Sequence, residues 1–140
     1  MPLEVIRNML KDMKKVLFVG INPSPTPYEK YRKKKLTTRT RFNEWCDYLK
    51  LGCVGFVNCI STRGDYTKSM IDYDTLKKST RGHDKIIALG NFPSDALKKI
   101  GVEHFKLPHP SPLNRLLNDP NYTKKTLRKC KRYIEDVNLA

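Results

Sequence analysis

The chain has 140 residues, of which 28 are Lys or Arg and 14 are Asp or Glu, giving a formal net charge of +14. That length suits one domain with a core of its own, so a single domain over residues 1–140 is expected. No apolar run approaches the roughly 20 residues of a membrane span, and Met1-Pro2-Leu3-Glu4 does not open a signal peptide. The expectation is an intracellular, cytoplasmic protein with no membrane partner.

Leu3, Ile6, Met9, Leu10 and Met13 fall at helical spacing. Lys15-Val16-Leu17-Phe18-Val19-Gly20 is a short apolar run ending at glycine, which reads as a buried parallel strand. Residues 21–28 carry Pro23, Pro25 and Pro27 and must be loop. After the basic run Lys30 to Lys35, Phe42, Trp45, Cys46 and Leu49 mark an amphipathic helix, with Gly52 as a stop. Val54 to Asn58 reads as a second strand and Cys59 to Tyr66 as a loop. Met70, Tyr73 and Leu76 suggest a helix. Lys85 to Gly90 is the clearest strand, followed by a helix from about Pro93 that Gly101 ends. Val102 to Leu107 reads as a fourth strand and Pro108 to Pro112 as a rigid loop. A last helix follows from Leu127, Cys130, Ile134 and Val137.

This alternation predicts a three-layer αβα sandwich around a central, four-stranded, mostly parallel sheet. Ligands of such sheets sit beyond the carboxyl ends of the strands. The chemically rich segments lie there: Gly20 to Pro25, Asn58 with the loop after it, and His109 to Arg115. Prolines stiffen two of these loops, which then hold Asn, Ser and His side chains with little ordering cost on binding.

Several classes are excluded. No Gly-x-x-x-x-Gly-Lys loop, no Gly-x-Gly-x-x-Gly turn and no Gly-x-Ser-x-Gly elbow is present. The four cysteines make no Cys-x-x-Cys pair and no His stands at zinc-ligand spacing, so reduced, packed thiols and no metal are expected. The positive charge clusters at Lys30 to Lys35 and at Lys124 to Arg132, which points to a polyanion and above all to nucleic acid.

Four segments together resemble the uracil-DNA glycosylase superfamily. Lys15 to Pro25 (KVLFVGINPSP) looks like its first motif in the mismatch-specific uracil/thymine branch, with Arg41-Phe42 and the following helix after it. Val54 to Asn58 (VGFVN) resembles the strand ending in a base-reading Asn. Lys85 to Leu97 (KIIALGNFPSDAL) resembles the third strand and its helix, and Leu107 to Arg115 (LPHPSPLNR) the second signature.

The resemblance implies a monofunctional DNA glycosylase that flips out uracil or a 5-substituted or mismatched pyrimidine and hydrolyses its glycosidic bond. It implies no cofactor, DNA as partner and a monomer. His109 would donate to the pyrimidine O2 as negative charge develops, and Asn22 would hold the attacking water. Asn58 would read the base, with Ile21 supplying backbone contacts and Tyr28 or Phe42 stacking. Ser24 stands where the uracil-only branch has a tyrosine, so 5-substituted bases would be tolerated. Leu113 would wedge into the stack. Arg115, Ser111, Lys33, Lys34 and Lys35 would meet DNA.

Rival expectations are a weak or inactive DNA-binding member of the same fold, or an enzyme that modifies a flipped base. On the residues alone, Asn22 is more often a turn residue bonding its own backbone, and His109 more often a structural histidine. His83 and His104 are expected to be structural and Trp45 to be core. Asp65, in a loop near the same rim, is a further candidate base.

Overall fold

The computed structural model describes residues 2–6, 15–23, 38–51, 54–111 and 114–135. Strands β1 (Val16–Gly20), β2 (Gly55–Asn58), β3 (Lys85–Leu89) and β4 (Phe105–Leu107) form one sheet in the order β2-β1-β3-β4. Every neighbouring pair is parallel. Helices α1 (Thr38–Tyr48), α2 (Tyr73–Arg81), α3 (Asn91–Lys99) and α4 (Pro120–Glu135) cover its two faces.

Each face has its own core. Val16, Phe18, Ile87, Leu89 and Leu107 pack with Trp45, Leu127, Cys130 and Ile134, beneath α1 and α4. Leu17, Val19, Ile86 and Ala88 pack with Leu76, Ala96 and Leu97, beneath α2 and α3. Successive strand residues thus enter opposite cores, which is why unbroken apolar runs serve here as strands. Each fully buried Leu, Ile or Phe contributes about 1.5–3 kcal/mol through removal from water. The αβα sandwich expected from the element order is the fold.

Several boundaries differ from the sequence reading, each for a local reason. The strand expected from Val102 starts at Phe105. Val102 instead donates its N–H to the Leu97 carbonyl (3.0 Å), closing the end of α3, and Gly101 turns the chain at φ +71°. Met70 belongs to a separate 3₁₀ turn, Lys68–Met70. Helix α2 begins only at Tyr73, because the Asp72 carboxylate accepts from the Thr75 N–H (3.0 Å) and hydroxyl (2.7 Å) and caps it. Helix α3 starts at Asn91, which still leaves Pro93 in the first turn, where no N–H is needed. Residues 3–6 are helical; the rest of that expected helix and Gly52 lie outside the described residues.

Strand order reverses at β1. The chain goes from β1 to one side (β2), then crosses to the other (β3, β4). The crevice at such a reversal, beyond the carboxyl ends of β1 and β3, is where open α/β sheets place ligands.

Candidate active site

Three segments meet at this carboxyl edge. Beyond β1, the carbonyls of Gly20 and Ile21 accept from the N–H groups of Cys59 and Ile60, both at 2.9 Å. The ladder with β2 therefore continues past the strand ends and takes up one lone pair of the carbonyl of Ile21, the residue expected to supply backbone contacts to the base. Asn22 follows. Its Nδ2 donates to the carbonyls of Gly64 (2.9 Å) and Thr62 (3.3 Å). Two carbonyl partners fix which end of the amide is nitrogen. Oδ1 is the end left to accept from a ligand or a water.

The second segment is β2 and its end. Asn58 lies opposite Gly20. A Cβ on Gly20 would come within 2.7 Å of Asn58 Oδ1 and 2.9 Å of Phe56 Cζ. Only glycine lets the Asn58 amide and the Phe56 ring lie across the end of β1. Phe42 meets Phe18 edge-on (4.9 Å between centroids) and Phe56 likewise (5.7 Å). Phe42 is thus held in an aromatic stack that reaches into the core. Phe56, 50% exposed, is the outermost ring of that stack.

The third segment follows β4. The half-buried His109 accepts the Ser111 N–H at Nδ1 (3.1 Å). A ring nitrogen that accepts carries no hydrogen, so in the neutral ring the hydrogen sits on Nε2. Burial pushes the His109 pKa below the ordinary imidazole value, which favours that neutral form. Asn114 Nδ2 donates to the His109 carbonyl (2.9 Å), and Arg41 Nη1 of α1 donates to the Ser111 carbonyl (3.1 Å). The loop is pinned from both sides.

Between the first and third segments stands the end of β3. Parallel strands are spaced ~4.8 Å apart, so β1 and β4, separated by β3, lie roughly 10 Å from each other. Gly90 caps that middle strand at φ +101°, ψ −178°. A Cβ there would come 3.2 Å from His109 Cβ. The buried Gly90 thus lets His109 pack directly on the end of β3, with the Asn22 turn beyond β1 on the same sheet edge.

The sequence candidates Ile21, Asn22, Asn58, His109 and Ser111 all lie on this edge. Arg115 is exposed in the 3₁₀ turn Arg115–Asn118, just beyond it. Ser24, Tyr28, Lys33, Lys34, Lys35 and Leu113 lie outside the described residues. Asp65 adjoins the Gly64 carbonyl that holds Asn22 and is exposed. His83 and His104 are structural as expected. His83 Nδ1 lies 2.7 Å from the Ser79 carbonyl; His104 bonds Ser94 Oγ and the Val102 carbonyl, both at 2.8 Å. Trp45 is in the core.

Sequence reasoning missed three contributors: Gly90, Asn114 and Phe56. It had singled out Arg41 only as part of a motif, not as a tether for the His109 loop. A glycine ending a strand was visible as a signal. The partners of Asn114 and Arg41 were not, since Arg41 and Ser111 are 70 residues apart.

Among the described residues no group of three or more His, Cys, Asp or Glu side chains could hold a metal ion. Nor, among them, is any helix long and apolar enough to cross a membrane. Neither a protein-family model nor a curated protein matches this chain.

Proposed function

We propose that the protein is a DNA glycosylase that removes uracil, or a 5-substituted or mismatched pyrimidine, from a flipped nucleotide. The observation that carries this reading is the fixed tautomer of His109. A neutral imidazole with its hydrogen on Nε2, on the same sheet edge as an oriented amide, suits a leaving pyrimidine anion and an incoming water.

In this reaction the bond between the base and the sugar C1′ breaks first. The sugar becomes oxocarbenium-like and the base takes the electron pair. His109 Nε2–H donates to the pyrimidine O2 as that charge grows, stabilising the transition state more than the ground state. The Asn22 Oδ1 accepts one hydrogen of the water whose oxygen adds to C1′. The other water proton passes to the departing base, which then leaves neutral, or to solvent, in which case the base leaves as its anion. An amide is no base, so Asn22 orients the water and turnover is slow. Asn58 offers both a donor and an acceptor to the base edge. The similarity of the first and second motifs to the uracil-DNA glycosylase superfamily supports the same reading, as does the charge of +14.

The test is incubation with single- and double-stranded oligonucleotides containing uracil, thymine mismatches or hydroxymethyluracil, followed by alkaline cleavage of abasic sites. Strand scission that His109→Ala and Asn22→Ala both abolish or strongly reduce is the expected result. An amide where a carboxylate would be a stronger base is also what a protein that only binds the flipped base would carry. Salt-sensitive binding without scission assigns that role instead.

A further inference from the structure

Helix α4 carries Lys124, Lys125, Arg128, Lys129, Lys131 and Arg132, and no acid from Pro120 to Ile134. The charge pattern works against the helix itself. Lys124 with Arg128, Lys125 with Lys129, and Arg128 with Arg132 are like charges four residues apart, a spacing that repels on a helix surface. The other sheet-covering helices on the far face are built differently. In α2 and α3 the cations are fewer, Lys77, Lys78 and Arg81 in the one and Lys98 and Lys99 in the other, and all but Lys77 sit in the last turn, where the helix dipole favours them. Each of those helices carries one acid, Asp74 or Asp95, for two or three cations, whereas α4 has only its terminal Glu135 for six. In α4 six cations run from the second turn to the last, and only Arg132 is in the last turn, so the helix dipole does not account for them.

The position of α4 separates this charge from the candidate site. The helix begins just past the 3₁₀ turn at the carboxyl edge. It ends with the Tyr133 hydroxyl accepting from the Ile86 N–H (3.2 Å) and Lys85 Nζ 4.7 Å from the Tyr133 ring, at the amino end of β3. It therefore runs from the carboxyl edge to the amino edge. Leu127, Cys130 and Ile134 face the core. Helical geometry then turns Lys125, Arg128, Lys129 and Arg132 outward, along about 10 Å of axis; all four are exposed.

We infer that the outer face of α4 is a second nucleic-acid surface, distinct from the carboxyl edge, that holds duplex DNA by its phosphates without reading sequence. A membrane fits less well, because the apolar stripe of α4 is spent in the core and none is left for acyl chains. A phosphate track at an angle to the reading edge keeps the protein on DNA between productive encounters. The inference does not depend on base excision, since a protein that cleaves nothing would keep this face.

The experiment measures binding of a uracil-free duplex of about 30 base pairs, by fluorescence anisotropy, between about 50 and 200 mM salt. Replacing Lys125, Arg128, Lys129 and Arg132 together by Gln lowers the slope of log affinity against log salt by about 3–4, at ~0.9 for each phosphate no longer neutralised. Across that range the variant then loses about 100-fold less affinity than the wild type. The comparison variant replaces Lys77, Lys78, Lys98 and Lys99 by Gln, the same change of charge on the opposite face. It shifts the slope by less than about 1. A thermal midpoint equal to wild type shows that the α4 variant is folded; if it is not, Arg128→Gln with Arg132→Gln serves, with a slope change of about 2.

Equal slope changes in the two four-site variants overturn the inference, because net charge alone then explains them. So does an unchanged slope in a folded α4 variant. Loss of binding to anionic phospholipid vesicles, with the DNA slope intact, would assign the face to a membrane and also overturn it. Excision of uracil from a short oligonucleotide, followed in parallel, reports on the glycosylase reading separately.

Discussion

Gly90→Ala probes the packing of His109 on the end of β3 without touching a polar group. The residue sits at φ +101°, ψ −178°. That region is entered essentially by glycine alone, and forcing another residue into it costs about 1–3 kcal/mol. The added methyl also meets His109 Cβ at 3.2 Å, with the His109 backbone N and Cα at 3.7 and 3.8 Å. His109 cannot retreat freely, because the Asn114 amide holds its carbonyl and the Ser111 N–H holds its ring. The overpacking adds about 1 kcal/mol, for a total loss of about 2–4 kcal/mol. At this chain length that corresponds to a fall in Tm of roughly 8–16 °C. Gly101→Ala is the control. It too has positive φ (+71°), but a Cβ there meets nothing within 4 Å, so the cost is strain alone, about 1–2 kcal/mol. Urea denaturation of both variants, with unchanged slope, gives the difference. Gly90→Ala no more destabilising than Gly101→Ala, or within about 0.5 kcal/mol of wild type, refutes the described contact between the β3 terminus and His109.

The other predictions concern the same edge. On the proposed glycosylase reading, His109→Ala lowers the single-turnover excision rate by about 10²–10³-fold, as for loss of one transition-state donor, with the oligonucleotide affinity nearly unchanged. The His109 pKa lies below the ordinary value of about 6.5, so the unfolded chain takes up the proton first. Its contribution to stability is complete above that value and is lost as pH falls through the folded-state pKa; a wild-type stability profile steeper in mild acid than that of His109→Gln checks this. Asn114→Ala removes the bond to the His109 carbonyl and the cap on the Leu116 N–H (3.2 Å). It costs about 1–2 kcal/mol, measured by denaturation, and slows excision more than Arg115→Ala slows it at saturating DNA. Burial pushes the Cys59 thiol up to about 11 and the Cys130 thiol up to about 12. Both therefore resist a thiol reagent at neutral pH until the chain unfolds, which mass spectrometry of labelled native protein tests.

The strands and helices were legible because their signals are local. Val16-Leu17-Phe18-Val19 and Ile86-Ile87-Ala88-Leu89 are unbroken apolar runs, and such runs are stable as strands only when both faces are covered. That requirement, with the alternation of helices, dictates a parallel sheet between two helical layers. Topology then dictates that the Asn22 turn, Asn58 and the His109 loop share one edge. The sequence also showed where charge accumulates, since a run of lysines needs no fold to be counted.

What the sequence could not supply is which partner each group takes, whether that partner lies near in the chain or far. The tautomer of His109 follows from the direction of one N–H at Ser111, and the orientation of the Asn22 amide from carbonyls about 40 residues away. Phe42 was legible as an aromatic near the site. Only packing between Phe18 and Phe56 makes it part of a fixed stack, with Phe56 outermost. Val102 has strand-forming chemistry, yet the end of α3 claims its N–H. In each case a backbone or side-chain group has one hydrogen-bonding or packing capacity and several possible partners. Local preference proposes the partners, and the tertiary structure decides among them by which group is brought within reach.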